Sequence, residues 1–210
     1  MATIYRAQIR PTKLELLAGW LPGRPWYAAP AALRLEAVGA YRFDDPDGEV
    51  GIETHVLRGD DGALLQVPLT YRGTPLDGAE DSLVGTMEHS VLGRRWVYDG
   101  CSDPVWATAL TTVILSGGRE AEEVVVVDGR REPRRLTASV RGNGTASGTV
   151  PPAGRLTVSE DATRTVVRTA GPELTLLRVL DPAAATDGGA VLTGTFAGQE
   201  EPVLLAWLRQ

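Results

Sequence analysis

Leu33-Arg34-Leu35-Glu36-Ala37-Val38-Gly39-Ala40-Tyr41-Arg42-Phe43 runs into Asp44-Asp45-Pro46-Asp47-Gly48; a second run, Glu49 to Arg58, ends at Asp60-Asp61-Gly62, and a third covers Ala63 to Tyr71. Acidic residues closing on glycine are hairpin signals, because they tolerate positive φ and hydrogen-bond their own backbone. The three runs therefore read as an antiparallel meander. A sheet of this kind must bury one face, so the flanking segments are read for what covers it.

Upstream, Thr3 to Ile9 alternates as a strand, and Pro11 to Leu21 carries apolar residues at helical spacing until Pro22-Gly23 stops it. The aromatic- and proline-rich stretch from Trp20 to Pro30 is irregular. Downstream, Glu80 to Val91 reads as a helix or helical turn and Arg95 to Tyr98 as a short strand. Asp103-Pro104 opens a helix that runs through Ile114 to Gly117-Gly118, with aspartate at the cap and proline just inside.

The rest is β-rich: Glu122 to Val127, Leu136 to Arg141, Gly154 to Val158, Thr163 to Arg168, Leu174 to Leu180, Val191 to Phe196 and Val203 to Leu208. Regular Gly, Pro and Asp breaks fit a curved antiparallel sheet. Two small-residue loops, Arg141 to Pro152 and Asp181 to Gly189, are candidates for mobility. The fold class is α+β, in two small units whose boundary falls near Tyr98 to Pro104 or just after the following helix.

With 210 residues, 43% hydrophobic and 23% charged, the chain has an ordinary globular composition. A net charge of −6 argues against nucleic acid or an anionic membrane as the main partner. The N-terminal residues lack a leader pattern and no apolar stretch is long enough to span a bilayer, which points to the cytosol. Cys101, the single cysteine, fits a reducing compartment.

Lys13 is the single lysine, so no phosphate-cradling Gly-x-x-x-x-Gly-Lys loop exists. Gly142-Asn143-Gly144-Thr145-Ala146-Ser147-Gly148 has the wrong spacing for a dinucleotide loop, and Pro151-Pro152 stands where a helix must begin; it reads as a flexible hairpin tip. The Asp44 to Gly48 turn lacks the closing glutamate and flanking helices of a calcium loop. Asp99 and Asp103 would raise the Cys101 thiol pKa, which favours a structural role over a nucleophilic one.

Chemistry-bearing residues concentrate between Tyr41 and Pro104. Glu53 and His55 lie on one face of a strand, two ligands short of a metal site unless Glu88 and His89 join them. Glu53, His55 and Gln66 alternatively share one solvent- or partner-facing sheet surface. Arg94-Arg95-Trp96 beside Glu88-His89 offers guanidinium forks and a stacking plate for an anion or sugar, or else simply neutralises Glu80, Asp81 or Asp99.

Several segments together resemble a known family: Ile4-Tyr5-Arg6-Ala7, Pro11-Thr12-Lys13-Leu14-Glu15-Leu16-Leu17, Trp20-Leu21-Pro22, Val38 to Pro46, Gly51-Ile52-Glu53-Thr54, Gln66-Val67-Pro68-Leu69-Thr70-Tyr71-Arg72-Gly73 and Gly85 to Gly100. They are similar to the N-terminal cap domain of actinobacterial maltokinases and related glucosamine kinases. The resemblance implies a cystatin-like cap over residues 1–104; Tyr71 and Arg72 complete the candidate ligand- or partner-binding residues. It implies a kinase N-lobe-like unit over 105–210. Maltokinases use ATP to make maltose 1-phosphate for glucan synthesis, with catalysis in a helical C-lobe that is not expected within these 210 residues.

In the second unit, Ser159 to Thr165 sits where a phosphate-covering turn would be, and Glu173 to Arg178 where the nucleotide-binding lysine strand would be. Leu177 or Arg178 replaces that lysine, and arginine is not an equivalent donor at a tight lysine site. Neither His55 nor His89 is followed by a catalytic aspartate at the right spacing, and Asp-Phe-Gly is absent. The resemblance thus implies kinship of fold without catalysis: a pseudoenzyme with no cofactor, binding or regulating in trehalose, maltose or glycogen metabolism. Its partner would be a kinase, a glucan-metabolism enzyme or a small sugar. The alternatives are one component of a split ATP-dependent sugar kinase, or a stand-alone sugar- or glucan-binding module.

Overall fold

The structure, a computed structural model, describes every residue except Met1, Tyr5, Arg6, 29–33, 128–129, 187–188 and Gln210. Leu33, the expected start of the first meander strand, lies outside the described residues. Two short strands, β1 (Ala2–Ile4) and β2 (Ile9–Arg10), precede helix α1 (Lys13–Trp20). The meander follows as β3 (Leu35–Phe43), β4 (Gly51–Gly59) and β5 (Leu64–Arg72), then a hairpin of β6 (Leu83–His89) and β7 (Gly93–Asp99).

Helix α2 (Pro104–Ser116) leads to a hairpin of β8 (Glu123–Val127) and β9 (Arg130–Pro133) and to β10 (Ala138–Gly142). The chain closes with β11 (Thr157–Glu160), β12 (Arg164–Arg168), β13 (Glu173–Leu177), β14 (Val179–Leu180), β15 (Val191–Phe196) and β16 (Gln199–Arg209). The architecture is α+β, as the hairpin signals predict. The first sheet has the order β2-β6-β7-β5-β4-β3 with β14 added to β5, the second β10-β15-β16-β13-β12-β11, and a third small one β1-β8-β9.

Both helices start and stop on sequence signals. Thr12 and Glu15 form a reciprocal capping box on α1. Asp103 accepts the Val105 amide at 2.9 Å with Pro104 just inside α2, and Gly117 ends that helix at φ 67° while the Gly118 amide reaches back to the Val113 carbonyl at 2.9 Å.

Strand alternation gives the first sheet two working faces. One carries Leu57, Leu65, Val67, Leu69, Met87 and Val97 against Leu17, Leu21 and Trp26 from the α1 region. The other carries Tyr41, Phe43, Ile52 and Val56 against Trp106, Leu110 and Ile114 of α2 and Val140, Leu192 and Leu205 of the second sheet. Burying one such side chain contributes about 1.5–3 kcal/mol. The apolar core therefore runs unbroken across residue 104.

Four expectations change. Thr3 to Ile9 is not one strand: β1 pairs in parallel with β8 and β2 antiparallel with β6, while Tyr5 and Arg6 lie outside the described residues. Glu80 to Val91 is one turn of 3₁₀ helix (Glu80–Ser82) and then β6, because the hairpin partner β7 supplies a full ladder that outweighs local helix propensity. Leu174 to Leu180 divides at Arg178, so that β13 stays in the second sheet and β14 crosses to the first. The segment after β10 is docked rather than free: the amides of Gly142, Gly144 and Ala146 reach carbonyls of Gly118, Ile114 and Leu115 at 2.8–2.9 Å.

Candidate functional site

Residues paired directly across an antiparallel ladder share a face. Arg42 opposes Glu53, and Ala40 opposes His55. Tyr71 opposes Val97, and Met87 opposes Arg95. Arg42, Glu53, His55, Tyr71, Met87, His89 and Arg95 thus lie on the α1 face of the first sheet. Beside α1 this face opens into a cavity of about 730 Å³. Lys13, Arg42, Glu53, Tyr71, His89 and Arg95 line it together with Ile9, Met87, Leu92 and the loop Asp44 to Val50.

The capping box starts α1 at Lys13 and aims this lysine across the sheet onto Glu53. Arg42 Nη1 approaches the same Glu53 oxygen at 3.3 Å and His55 Nε2 at 3.5 Å. His55 Nε2 also meets the Tyr71 hydroxyl at 3.2 Å, and Lys13 Nζ sits 5.3 Å from the Tyr71 ring centroid. The wall opposite is the Asp44 to Val50 loop, folded by Asp45, whose carboxylate accepts the Asp47, Glu49 and Val50 amides.

Burial alone would raise the Glu53 carboxyl, but His55, Lys13 and Arg42 outweigh it and hold it well below the usual carboxylate range. Burial pushes His55 down to about 4 against the pull of Glu53, so the imidazole is neutral near pH 7. Burial and the Glu53 charge hold the Tyr71 hydroxyl protonated. The floor is thus an ionised carboxylate shared by Lys13 and Arg42, with a neutral His–Tyr pair beside it.

Of the ten predicted binding residues, Glu53, His55, Tyr71, His89 and Arg95 share this face. Gln66 does not: it pairs with Val56, one position out of phase with His55, and is fully buried between the sheets. There it accepts the Tyr41 hydroxyl at 2.9 Å and donates to the Leu177 and Leu205 carbonyls at 2.8 and 3.0 Å. The shared Glu53–His55–Gln66 surface is corrected accordingly, since strand alternation puts Gln66 on the other face from Glu53 and His55, and none of the three is exposed.

Glu88, Arg94 and Trp96 fall on the face opposite His89 and Arg95, where Glu88 and Arg94 form an exposed pair at 2.8 Å. Arg72, paired with Trp96, donates through Nε and Nη2 to both Asp103 oxygens at 2.7 Å and so ties β5 to the start of α2. The Glu53, His55, Glu88, His89 metal set is therefore split between two faces. No group of three or more His, Cys, Asp or Glu among the described residues is placed to hold a metal.

Lys13 and Arg42 complete the cavity floor and were not singled out from sequence as binding residues. Arg42 was readable only through the register across the Asp44 to Val50 loop, and nothing local to Lys13 marks its target forty residues away.

A second buried constellation joins the first and second sheets. Arg178, 0% exposed, places Nη2 2.5 Å from Asp99 Oδ2 and 3.4 Å from Glu160 Oε1, and donates through Nε to Thr165 at 2.7 Å. Its guanidinium stacks 4.7 Å from the Trp26 ring, whose Nε1 donates to Glu160 at 3.0 Å. Asp99 is thus neutralised by Arg178 and not by Arg94 or Arg95.

No helix among the described residues is long and apolar enough to cross a membrane. No curated protein matches the chain at a significant level. The family model of the maltokinase N-terminal cap domain matches residues 20–103. That span, two fifths of the chain, holds the meander, the β6–β7 hairpin and every cavity residue except Ile9 and Lys13, and over it the chain is similar to the maltokinase N-terminal cap domain.

Proposed function

We propose that this protein is a non-catalytic binding or regulatory module of sugar metabolism in the cytosol, in the trehalose, maltose or glycogen branch. It is divided into a cap over residues 1–104 and an N-lobe-like unit over 105–210. The observation that carries the reading is Arg178. It stands where the resemblance expects a nucleotide-binding lysine, yet its guanidinium is fully buried inside the fold, with Nη2 on Asp99 and Glu160, Nε on Thr165 and the Trp26 ring beside it. A donor held by two carboxylates inside the fold is not presented to the phosphates of a nucleotide.

The test is turnover and nucleotide binding by the pure chain. ADP release from ATP with magnesium is followed in the presence of maltose, trehalose, glucose or glucosamine, and ATP binding is measured by calorimetry. The expected results are no sugar-dependent ADP release and no heat with ATP. Phosphorylation of any of these sugars would refute the reading. Affinity capture from the native host then identifies the enzyme that the module serves.

A further inference from the structure

We propose that the cavity between α1, the Asp44 to Val50 loop and the β6–β7 hairpin is a binding site for a small phosphorylated polyol of about hexose size, with Lys13, Arg42 and Arg95 taking the phosphate.

The charge distribution carries the inference. On the floor, Lys13 and Arg42 meet a single ionised carboxylate, Glu53, and Arg95 lines the same partly enclosed space, so the cations gather on one side of the cavity while Asp44, Asp45 and Glu49 stand on the loop across from them. Two of these cations have unmade bonds: Arg42 Nε and Arg95 Nε are buried and have no hydrogen-bond partner among the described residues. A buried guanidinium donor without an acceptor is costly, and planar N–H forks match the oxygens of a phosphate. Arg95 is held in place by its Nη2 donating to the Leu92 carbonyl at 2.6 Å, which leaves Nε for a ligand.

The opposite wall has the complementary chemistry. Asp44 and Glu49 sit on the loop that rims the cavity, and carboxylates at such a rim accept hydrogen bonds from hydroxyl groups. Ile9, Met87 and Leu92 supply an apolar side for a ring face. A cationic floor, an acidic rim and one apolar wall fit a molecule with an oxyanion at one end and hydroxyls at the other. The volume of about 730 Å³ lies within the range of small-molecule sites.

This deepens the binding role proposed above and rests on it for its biological meaning. The test is separate. The full chain is titrated calorimetrically with glucose 1-phosphate, glucose 6-phosphate, inorganic phosphate and glucose, at low and high salt. The expected result is saturable, salt-sensitive binding of a sugar phosphate, with glucose at least about tenfold weaker, since one charge-assisted bond is worth about that factor.

Arg95→Gln and Arg42→Gln each weaken binding by about tenfold, while Arg94→Gln on the opposite face leaves it unchanged. Thermal melts confirm that each variant is folded, and Arg95→Gln, which spares the Glu53 cluster, carries the test if Arg42→Gln is unstable. Absence of binding by either sugar phosphate, equal binding of glucose, or binding untouched by Arg95→Gln overturns the proposal. Sugar phosphorylation in the turnover assay would sink the non-catalytic reading and leave the site standing, so the two fail separately.

Discussion

The Arg178 guanidinium and the Asp99 carboxylate meet at 2.5 Å with side-chain exposures of 0% and 7%, although 79 residues separate them. Asp99 ends β7 of the first sheet, and Arg178 is the pivot at which the chain leaves the second sheet to add β14 to β5. Burial pushes the Asp99 carboxyl up against the pull of Arg178. The pair is therefore a join between the first and second sheets that holds only while both partners stay.

Removing one member strands a buried charge. Arg178→Ala is expected to cost about 3–5 kcal/mol, measured by urea denaturation. Asp99→Ala costs less, because Arg178 keeps Glu160 at 3.4 Å. In the double mutant the losses do not add, and a coupling of at least about 1 kcal/mol is expected. Strict additivity would mean that the contact does not join the two sheets.

Cys101 lies beside this pair with 0% exposure. Burial pushes its thiol well up; Arg178 pulls it down, and Asp99 and Glu160 push it up further. The native protein is expected to resist a thiol reagent such as dithionitrobenzoate at neutral pH and to react with one equivalent once denatured. Rapid labelling of the folded protein would contradict this burial.

The cavity floor sets an acid limit on stability. His55 titrates near 6.5 when unfolded but is pushed down to about 4 in the fold, where Glu53, Tyr71, Lys13 and Arg42 face it. The unfolded state then binds the extra proton between these values, so stability is full above about 6.5 and falls as the pH drops toward 4. Glu53, held below its unfolded value of about 4.3, adds a loss of the same sign at lower pH. Urea midpoints across this range are expected to fall with acid, and His55→Gln to flatten the upper part. His89, also lowered but more exposed, leaves a residual slope.

The parts of the fold written in local chemistry were legible: the Asp-Gly turns of the meander, the Asp103-Pro104 start of α2 and its Gly117 stop. The β6 strand was not, since Glu80 to Val91 carries no turn signal before Ser90 and becomes a strand only through β7. The site was half legible for a related reason. Alternation alone places Glu53 with His55, but which neighbours join them depends on register, and register sent Gln66, Arg72, Glu88, Arg94 and Trp96 to the other face. The Lys13–Glu53 contact depends on the docking of α1, which no local signal encodes.

The Gly142 to Gly148 segment gives a paired test of how composition misled. Its glycines suggested a mobile tip, but the structure packs its first half against the last turn of α2. A Cβ on Gly144 would lie 2.2 Å from the Leu115 carbonyl oxygen, and one on Gly142 2.1 Å from that of Val113. These contacts are with backbone, which cannot swing aside as a side chain can. Gly144→Ala is therefore expected to destabilise by about 1–3 kcal/mol, through loss of the Gly144 and Ala146 amide bonds to α2. Gly148, four residues on, has nothing within 4 Å of its Cβ position. Gly148→Ala is expected to be neutral or to stabilise by a few tenths of a kcal/mol, because it restricts only the unfolded chain. Equal effects of the two substitutions on thermal midpoint would return the whole segment to a free loop. A clear loss at 144 alone would confirm that these glycines are there for close backbone approach.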